Sequence, residues 1–184
     1  MPACWNCEEG ADLEIQIRKG DLAQLEDFIR LTHDIQDAMA QIEWFAIDPD
    51  EETRELAHTG DLQFWVAEAE GRMAGVFSII RPGLRDFNLG YELELTEQEL
   101  ERVIHMDTAA VHPDFRGHGL QRRLIEAAET ELRGKILLCT IHPDNVYSLQ
   151  NMQKLGYTIE KKVARYGSIR YILRKNAKIN RPVN

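Results

Sequence analysis

Cysteine is scarce in this sequence, basic residues are outnumbered, and no long apolar run occurs; each shortage removes a class of protein. Cys4, Cys7 and Cys139 are the only three cysteines in 184 residues, an odd number that implies no disulfide framework. Cys139 lies in an apolar run, where a free thiol usually behaves as a small buried hydrophobe. Cys4 and Cys7 form one C-x-x-C in an unpatterned tail, and a zinc site would need two more ligands from elsewhere, so no metal is expected. Lys and Arg number 22 against 31 Asp and Glu, a formal net charge of −9, which argues against the basic stripe that a duplex nucleic-acid binder needs. An acidic surface suits a cationic substrate, or serves solubility alone. No stretch approaches the roughly 20 apolar residues of a membrane helix. The start, Met1-Pro-Ala-Cys-Trp-Asn-Cys, has neither a basic n-region nor an apolar h-region. The expectation is a soluble cytoplasmic protein that engages neither nucleic acid nor membrane. Internal repeats and low-complexity linkers are absent as well.

What is present fits one core: 184 residues at 43% hydrophobic content bury one sizeable core but hardly two. Residues 13–174 are expected to form a single domain, and the polar tails 1–12 and 175–184 are expected to fray. Residues 13–18 alternate as a half-buried strand, and apolar residues at 22, 25, 28, 29, 35, 39 and 42 follow at helical spacing. The phase loosens at Thr32 to Asp34, which predicts a break between two helices there. A shorter helix is predicted over 51–58. The runs 63–69 and 73–80, joined at Glu70-Gly71, predict a hairpin. In the segment 84–102, Tyr91-Glu-Leu-Glu-Leu looks strand-like and Thr96 opens a capped acidic turn. Residues 103–111 predict a strand, and 120, 124, 125, 128 and 132 form the apolar face of a helix after it. Lys135 to Ile141 is nearly continuous in apolar residues, as for a parallel strand covered on both faces. A helix over 146–155 closed by Gly156 and strands near 157–164 and 168–174 complete the pattern.

A strand, a glycine-bearing turn and a helix start make an anion site, because the unsatisfied N–H groups of a first helical turn point outward with the helix dipole behind them. Arg116-Gly117-His118-Gly119-Leu120-Gln121 stands at such a place. A Walker A loop would need Gly-Lys-Ser/Thr, and a dinucleotide fingerprint would need a third glycine at 122, which is Arg. The six residues resemble the Q/R-x-x-G-x-G/A pattern of the GNAT superfamily of N-acetyltransferases in five of six places; Gln121 stands where that family has Gly or Ala. Asn145 with Ser148, Lys154, Gly156 and Tyr157 is similar to the family's N-x-x-A…K-x-G-F/Y segment.

The resemblance spans about 13–174 and implies a mixed α/β (α+β) fold: a mostly antiparallel central sheet with a splayed parallel strand pair, flanked by about four helices. It implies acetyl-CoA as co-substrate, held through the strand end at Ala110 and Val111, the loop residues Arg116, Gly117, His118, Gly119, Leu120 and Gln121, and the helix start at Asn145 and Ser148. The implied reaction is direct acetyl transfer to the amine of a small molecule, an amino-acid derivative or a peptide. Many members place a proton-donating tyrosine seven residues after the helix-start Asn; here that residue is Met152. This leaves a non-catalytic acyl-CoA sensor as the alternative. Where some members keep a glutamate base on the central strand, this chain has His105, with Asp107 two residues on, and these are the catalytic candidates; a hydrogen-bonded structural role for His105 is the competing reading. Glu92 and Glu94 are candidates for the acceptor's ammonium, or a solvated acidic face. Acceptor choice is expected from 30–60 and 82–102. Dimers are frequent among such proteins, and the terminal strand offers an edge for pairing.

Overall fold

The computed structural model describes residues 13–177; the Cys4 and Cys7 pair and most of the two tails lie outside this range. Seven strands form one sheet in the order β1-β2-β3-β4-β5-β7-β6. They are β1 (Ile15–Lys19), β2 (Leu62–Ala69), β3 (Arg72–Ile80), β4 (Val103–Val111), β5 (Ile136–Ile141), β6 (Thr158–Arg165) and β7 (Ser168–Asn176). Every neighbouring pair is antiparallel except β4 and β5. The helices are α1 (Leu25–Asp37), α2 (Asp50–Thr59), α3 (Glu97–Leu100), α4 (Leu120–Glu129) and α5 (Val146–Lys154).

The sheet is sandwiched between two helical layers. On one face the predicted stripe of α4, Leu120, Leu124, Ile125 and Ala128, joins Met152 of α5 in a core with Phe77, Ile104, Met106, Leu137 and Leu173. On the other, Phe28, Ile29 and Ile35 of α1 and Leu56 of α2 cover Phe64, Val66, Val76 and Ile80. Beyond them the segment 84–102 lays Leu89 over Val103, Ile136, Leu138 and Ile172. Strand β5 is buried from both sides, which accounts for its continuous apolar run. The hairpin turns through Glu70 and Gly71, both with positive φ, the geometry that matches the twist of a two-residue turn.

Three expectations are corrected. Helix α1 runs unbroken through Thr32 to Asp34; the Thr32 hydroxyl donates to the Ile29 carbonyl at 2.7 Å, so a polar residue is satisfied within the buried face and the phase continues. Leu89–Leu93 is a 3-10 turn, not a strand, fixed by the Asn88 side chain, which accepts from the Gly90 N–H at 2.8 Å and donates to the Gly83 and Leu100 carbonyls. The terminal strand β7 offers no edge, because it is inserted between β5 and β6; the free edges are β1 and β6. By contrast, the Thr96 and Glu99 capping box forms as predicted.

Leu124 is fully buried beneath β3 and β4. Leu124→Ala is expected to lower unfolding free energy by about 3 kcal/mol, from the loss of buried methyl groups plus the cavity left behind, as measured by urea unfolding at unchanged m-value.

Candidate functional site

Strands β4 and β5 pair over three residues only, from Val103↔Ile136 to His105↔Leu138. Past that point β5 continues beside β7 and β4 continues beside β3, so a gap opens between them. The divergence coincides with an irregularity where β3 meets β4: Phe77 faces Ala109 while Ile79 faces Met106, leaving Asp107 and Thr108 both opposite Ser78. Such a bulge bends its strand and re-aims its side chains. The His112 N–H pairs with the Ala74 carbonyl on β3. Alternation along β4 therefore turns the polar backbone groups of Ala110 toward β3 and those of Val111 and Ala109 toward the gap.

The loop after β4 leads directly to this gap. Gly117 and Gly119 have φ of 88° and 66°, conformations that disfavour a side chain, and a Cβ at either would meet nothing within 4 Å. Among the described residues, the backbone N–H groups of 117–122 make no backbone hydrogen bond outside α4, and the first bond back into the loop is from Arg123 to the Gly119 carbonyl at 3.1 Å. Six successive N–H groups at the positive end of α4 are thus left without a backbone partner, as in an anion cradle. Gln121 does not obstruct it: its side-chain oxygen accepts from the Asn151 amide at 2.7 Å and is drawn toward α5. Leu120 is anchored in the core, while Arg116 and His118 are exposed beside the loop. Asn145 caps α5 by accepting from the Ser148 N–H at 3.2 Å, which brings both residues to the far side of the gap.

The two strand candidates differ in kind. His105 is 7% exposed, and its Nε2 accepts from the Leu89 N–H at 3.0 Å, edge-on to Phe87. Burial, helped by the Arg165 guanidinium, pushes its pKa down to about 3. With the lone pair engaged, the ring holds the 84–102 segment against the sheet. Asp107 instead stands on the floor of a cleft, reachable by solvent from one side and enclosed by protein on the others. Its Oδ2 accepts from the Ser78 hydroxyl at 2.8 Å and the Thr108 hydroxyl at 3.0 Å, while Ser78 accepts the Thr108 N–H at 3.1 Å. Although its outer side meets solvent, desolvation on the enclosed sides raises its pKa despite those hydrogen bonds.

Sequence reasoning missed Asp48. It lines the same narrow cleft as Asp107, with Phe28, Thr32, Ile47 and Leu62. Burial first, then the neighbouring Asp107 and Glu52 carboxylates, push its pKa up to about 7, with Arg165 opposing. The loop that carries Asp48 is braced by α1 and α2, which are tied by His33 to Asp50 at 2.7 Å and by Arg54 to Glu26 at 2.8 and 3.0 Å. Asp48 carries no local motif; only its place within 30–60 pointed toward the acceptor side.

The remaining candidates lie elsewhere. Glu92 is engaged by Lys161 at 3.4 Å, and Glu94 ends the 3-10 turn with φ of 54°. Met152 is buried in the core. Tyr147 is 82% exposed on α5, and the Tyr157 hydroxyl donates to Glu129 at 2.8 Å; burial and the Glu129 carboxylate raise its pKa. Among the described residues there is no group of three or more potential metal ligands, and no helix is long and apolar enough to cross a membrane.

A model of the acetyltransferase (GNAT) family matches residues 29–157. No protein of curated function matches the chain. Among solved structures, a GNAT-family acetyltransferase from Streptococcus agalactiae superposes with a TM-score of 0.70 at 22% identity, covering 90% of this chain and 96% of its own. YncA from Salmonella typhimurium, solved with its cofactor acetyl-CoA, gives 0.67 at 20% identity, covering 93% and 98%. Arabidopsis thaliana NAA60 in complex with acetyl-CoA gives 0.66 at 13%, covering 89% and 98%. At these identities the likeness is one of fold.

The neutral His105 ring makes stability pH-dependent with a definite sign. Its folded pKa lies below 6.5, so the stabilisation is whole above that value. As pH falls below it, the unfolded chain takes a proton that the folded ring refuses until about pH 3. The thermal midpoint is expected to decline over this range, and less steeply in His105→Gln, whose side-chain oxygen still accepts the Leu89 N–H. Parallel declines in both proteins would remove His105 as the cause.

Proposed function

The chain belongs to the acetyltransferase (GNAT) family, and from that premise we propose that it transfers an acetyl group from acetyl-CoA to the amine of a small molecule or peptide. The observation that carries the proposal is the row of free N–H donors at residues 117–122, opening beside the gap between β4 and β5. Those donors and the exposed Arg116 suit a pyrophosphate, and the unpaired backbone of Ala109 and Val111 suits the amide-bearing arm of the coenzyme. Asn145 and Ser148 flank the arm from α5. Acetyl-CoA would supply the activated thioester.

The residues of this chain act on the amine. An alkyl ammonium must lose a proton before its nitrogen can attack a carbonyl, and a base with a pKa near the working pH is suited to remove it. Asp48 and Asp107 share one cleft and repel each other's charge, so near neutral pH the pair retains a proton and titrates as a unit. Asp107, beside the gap, takes the proton; Ser78 and Thr108 hold its carboxylate in place. The Val111 N–H faces the gap and would polarise the thioester carbonyl there. The nitrogen–carbon bond forms as the carbon–sulfur bond breaks, and the thiolate leaves with a proton from solvent. Direct transfer needs no nucleophilic cysteine, and burial pushes the Cys139 thiol up to about 12.

Met152 gives substance to a second reading, a sensor that holds acyl-CoA without turning it over: the position where the family usually has its acid is a buried thioether. Thiol release from acetyl-CoA in the presence of an amine panel separates the two. Release that depends on amine and disappears in Gly119→Glu, where a carboxylate is set among the phosphate donors, is the expected result. Acetyl-CoA binding without release in any amine would favour the sensor, and no binding would overturn the site.

The base assignment has its own signature. The log of kcat/KM is expected to rise with pH and level off above about 7, where the Asp48 and Asp107 pair has lost its shared proton. Asp107→Asn is expected to lower kcat roughly a hundredfold or more. Asp48→Asn removes the like charge, so its profile is expected to shift to lower pH at a similar plateau. An unshifted profile in Asp48→Asn would exclude the coupled pair.

A further inference from the structure

Next to the acidic cleft lies a cation without an anion. Arg170 is 3% exposed, the one Lys, Arg, Asp or Glu among the described residues that counts as buried. Among those residues it makes no ion pair. Its Nη2 donates to the Glu43 backbone carbonyl at 2.6 Å, its guanidinium lies over the Tyr166 ring at 5.3 Å, and its Nε is buried without a partner. Burial pulls its pKa down. Two residues earlier on the same strand, and so on the same face, the Ser168 hydroxyl is also buried without a partner. A buried guanidinium with one neutral acceptor is unfavourable unless an anion joins it. An unsatisfied hydroxyl beside it adds to that cost.

The place matters as much as the deficit. Tyr166, against Arg170, is within reach of the Asp48 and Asp107 charges, and Arg165 lies over the same ring at 5.4 Å. The same tyrosine therefore neighbours the unpaired cation and feels the acids. The Glu43 carbonyl belongs to the loop that also carries Asp48, so a ligand oxygen taking its place on Arg170 would act on the element that lines the amine cleft. We propose that the acceptor is a small amine that also bears a carboxylate, an amino acid in the broad sense, with the carboxylate held by Arg170 and Ser168 and the amine by Asp48 and Asp107. This rests on the transferase reading for its amine end. An arginine fork and a hydroxyl two residues apart offer three donors to two carboxylate oxygens, and a carboxylate oxygen replaces the Glu43 carbonyl at Nη2.

The test compares pairs of amines that differ only in carboxylate against carboxamide, titrated calorimetrically into protein saturated with coenzyme A. The carboxylate member of at least one pair is expected to bind at least tenfold more tightly. That preference is expected to fall severalfold in Ser168→Ala, which removes only a hydroxyl. It is expected to vanish in Arg170→Gln, with the thermal midpoint of each variant checking that it is folded. Equal affinity within every pair, or a preference that survives both substitutions, would overturn the carboxylate site. So would the binding of neither member to protein that binds coenzyme A normally. Thiol release, followed separately on the same amines, reports on the transferase reading: release with no carboxylate preference leaves that reading standing, and preference in binding without release leaves the carboxylate site standing.

Discussion

Strands β4 and β5 hydrogen-bond from Val103 and Ile136 to His105 and Leu138 and then separate, since the extra residue that β4 accommodates opposite Ser78 bends it toward β3 while β5 follows β7. The coenzyme side of the proposed site depends on that parting. It leaves the backbone of Val111 unpaired in the middle of a sheet, where an unmet donor would otherwise be costly. It also directs the loop of residues 116–119 and the start of α4 to the mouth of the gap. The same bulge turns Asp107 into the cleft on the opposite side of the sheet from α4. One local irregularity thus leaves both an unpaired stretch of strand backbone and a carboxylate close to it.

The two faces of the sheet then divide the work. Helices α4 and α5 form a dense core with the central strands, and the loop that precedes each helix start borders the gap. The other face is assembled from elements distant in sequence: α1, α2, the segment 84–102 and the β6–β7 turn. They meet around Asp48, Asp107, His105 and Arg165, and the charges there are arranged rather than neutralised. Arg165 opposes the acids and donates to the Phe87 carbonyl at 2.8 Å, tying the last hairpin to the segment that His105 also holds. His105 serves this face as a neutral acceptor; a protonated ring there would face Arg165 in a buried setting.

On the proposed reading, acceptor recognition is a matter of long-range assembly. Asp48 is held by the pairing of α1 with α2, Arg170 by its strand between β5 and β6, and neither contacts the loop that marks the coenzyme side. A change in α1 or α2 can therefore alter the surroundings of Asp48 while the N–H groups at 117–122 remain in place. The converse holds for substitutions in α4.

Hydrophobic period and local capping determined most of the architecture from sequence alone. The stripe of α4, the double burial of β5, the hairpin at Glu70-Gly71, the capping box at Thr96 and the loop of Gly117 and Gly119 all follow from interactions between residues a few positions apart. Such patterns are written in the chain because their hydrogen bonds and periods close locally. Where a distant partner supplies the deciding contact, the pattern misleads: Tyr91 to Leu95 alternates like a strand but is turned by Asn88, and β7, the last of the described strands, lies inside the sheet. Alternation in β7 sets Arg170 on the face of buried Ile172, a signal present in the sequence, although the absence of a counter-charge emerges only when the Glu43 loop folds over it. The company of Asp48, Asp107 and Arg165 was decided by tertiary structure alone, because a carboxylate's pKa depends on burial and on charges that lie far away along the chain and near only in space.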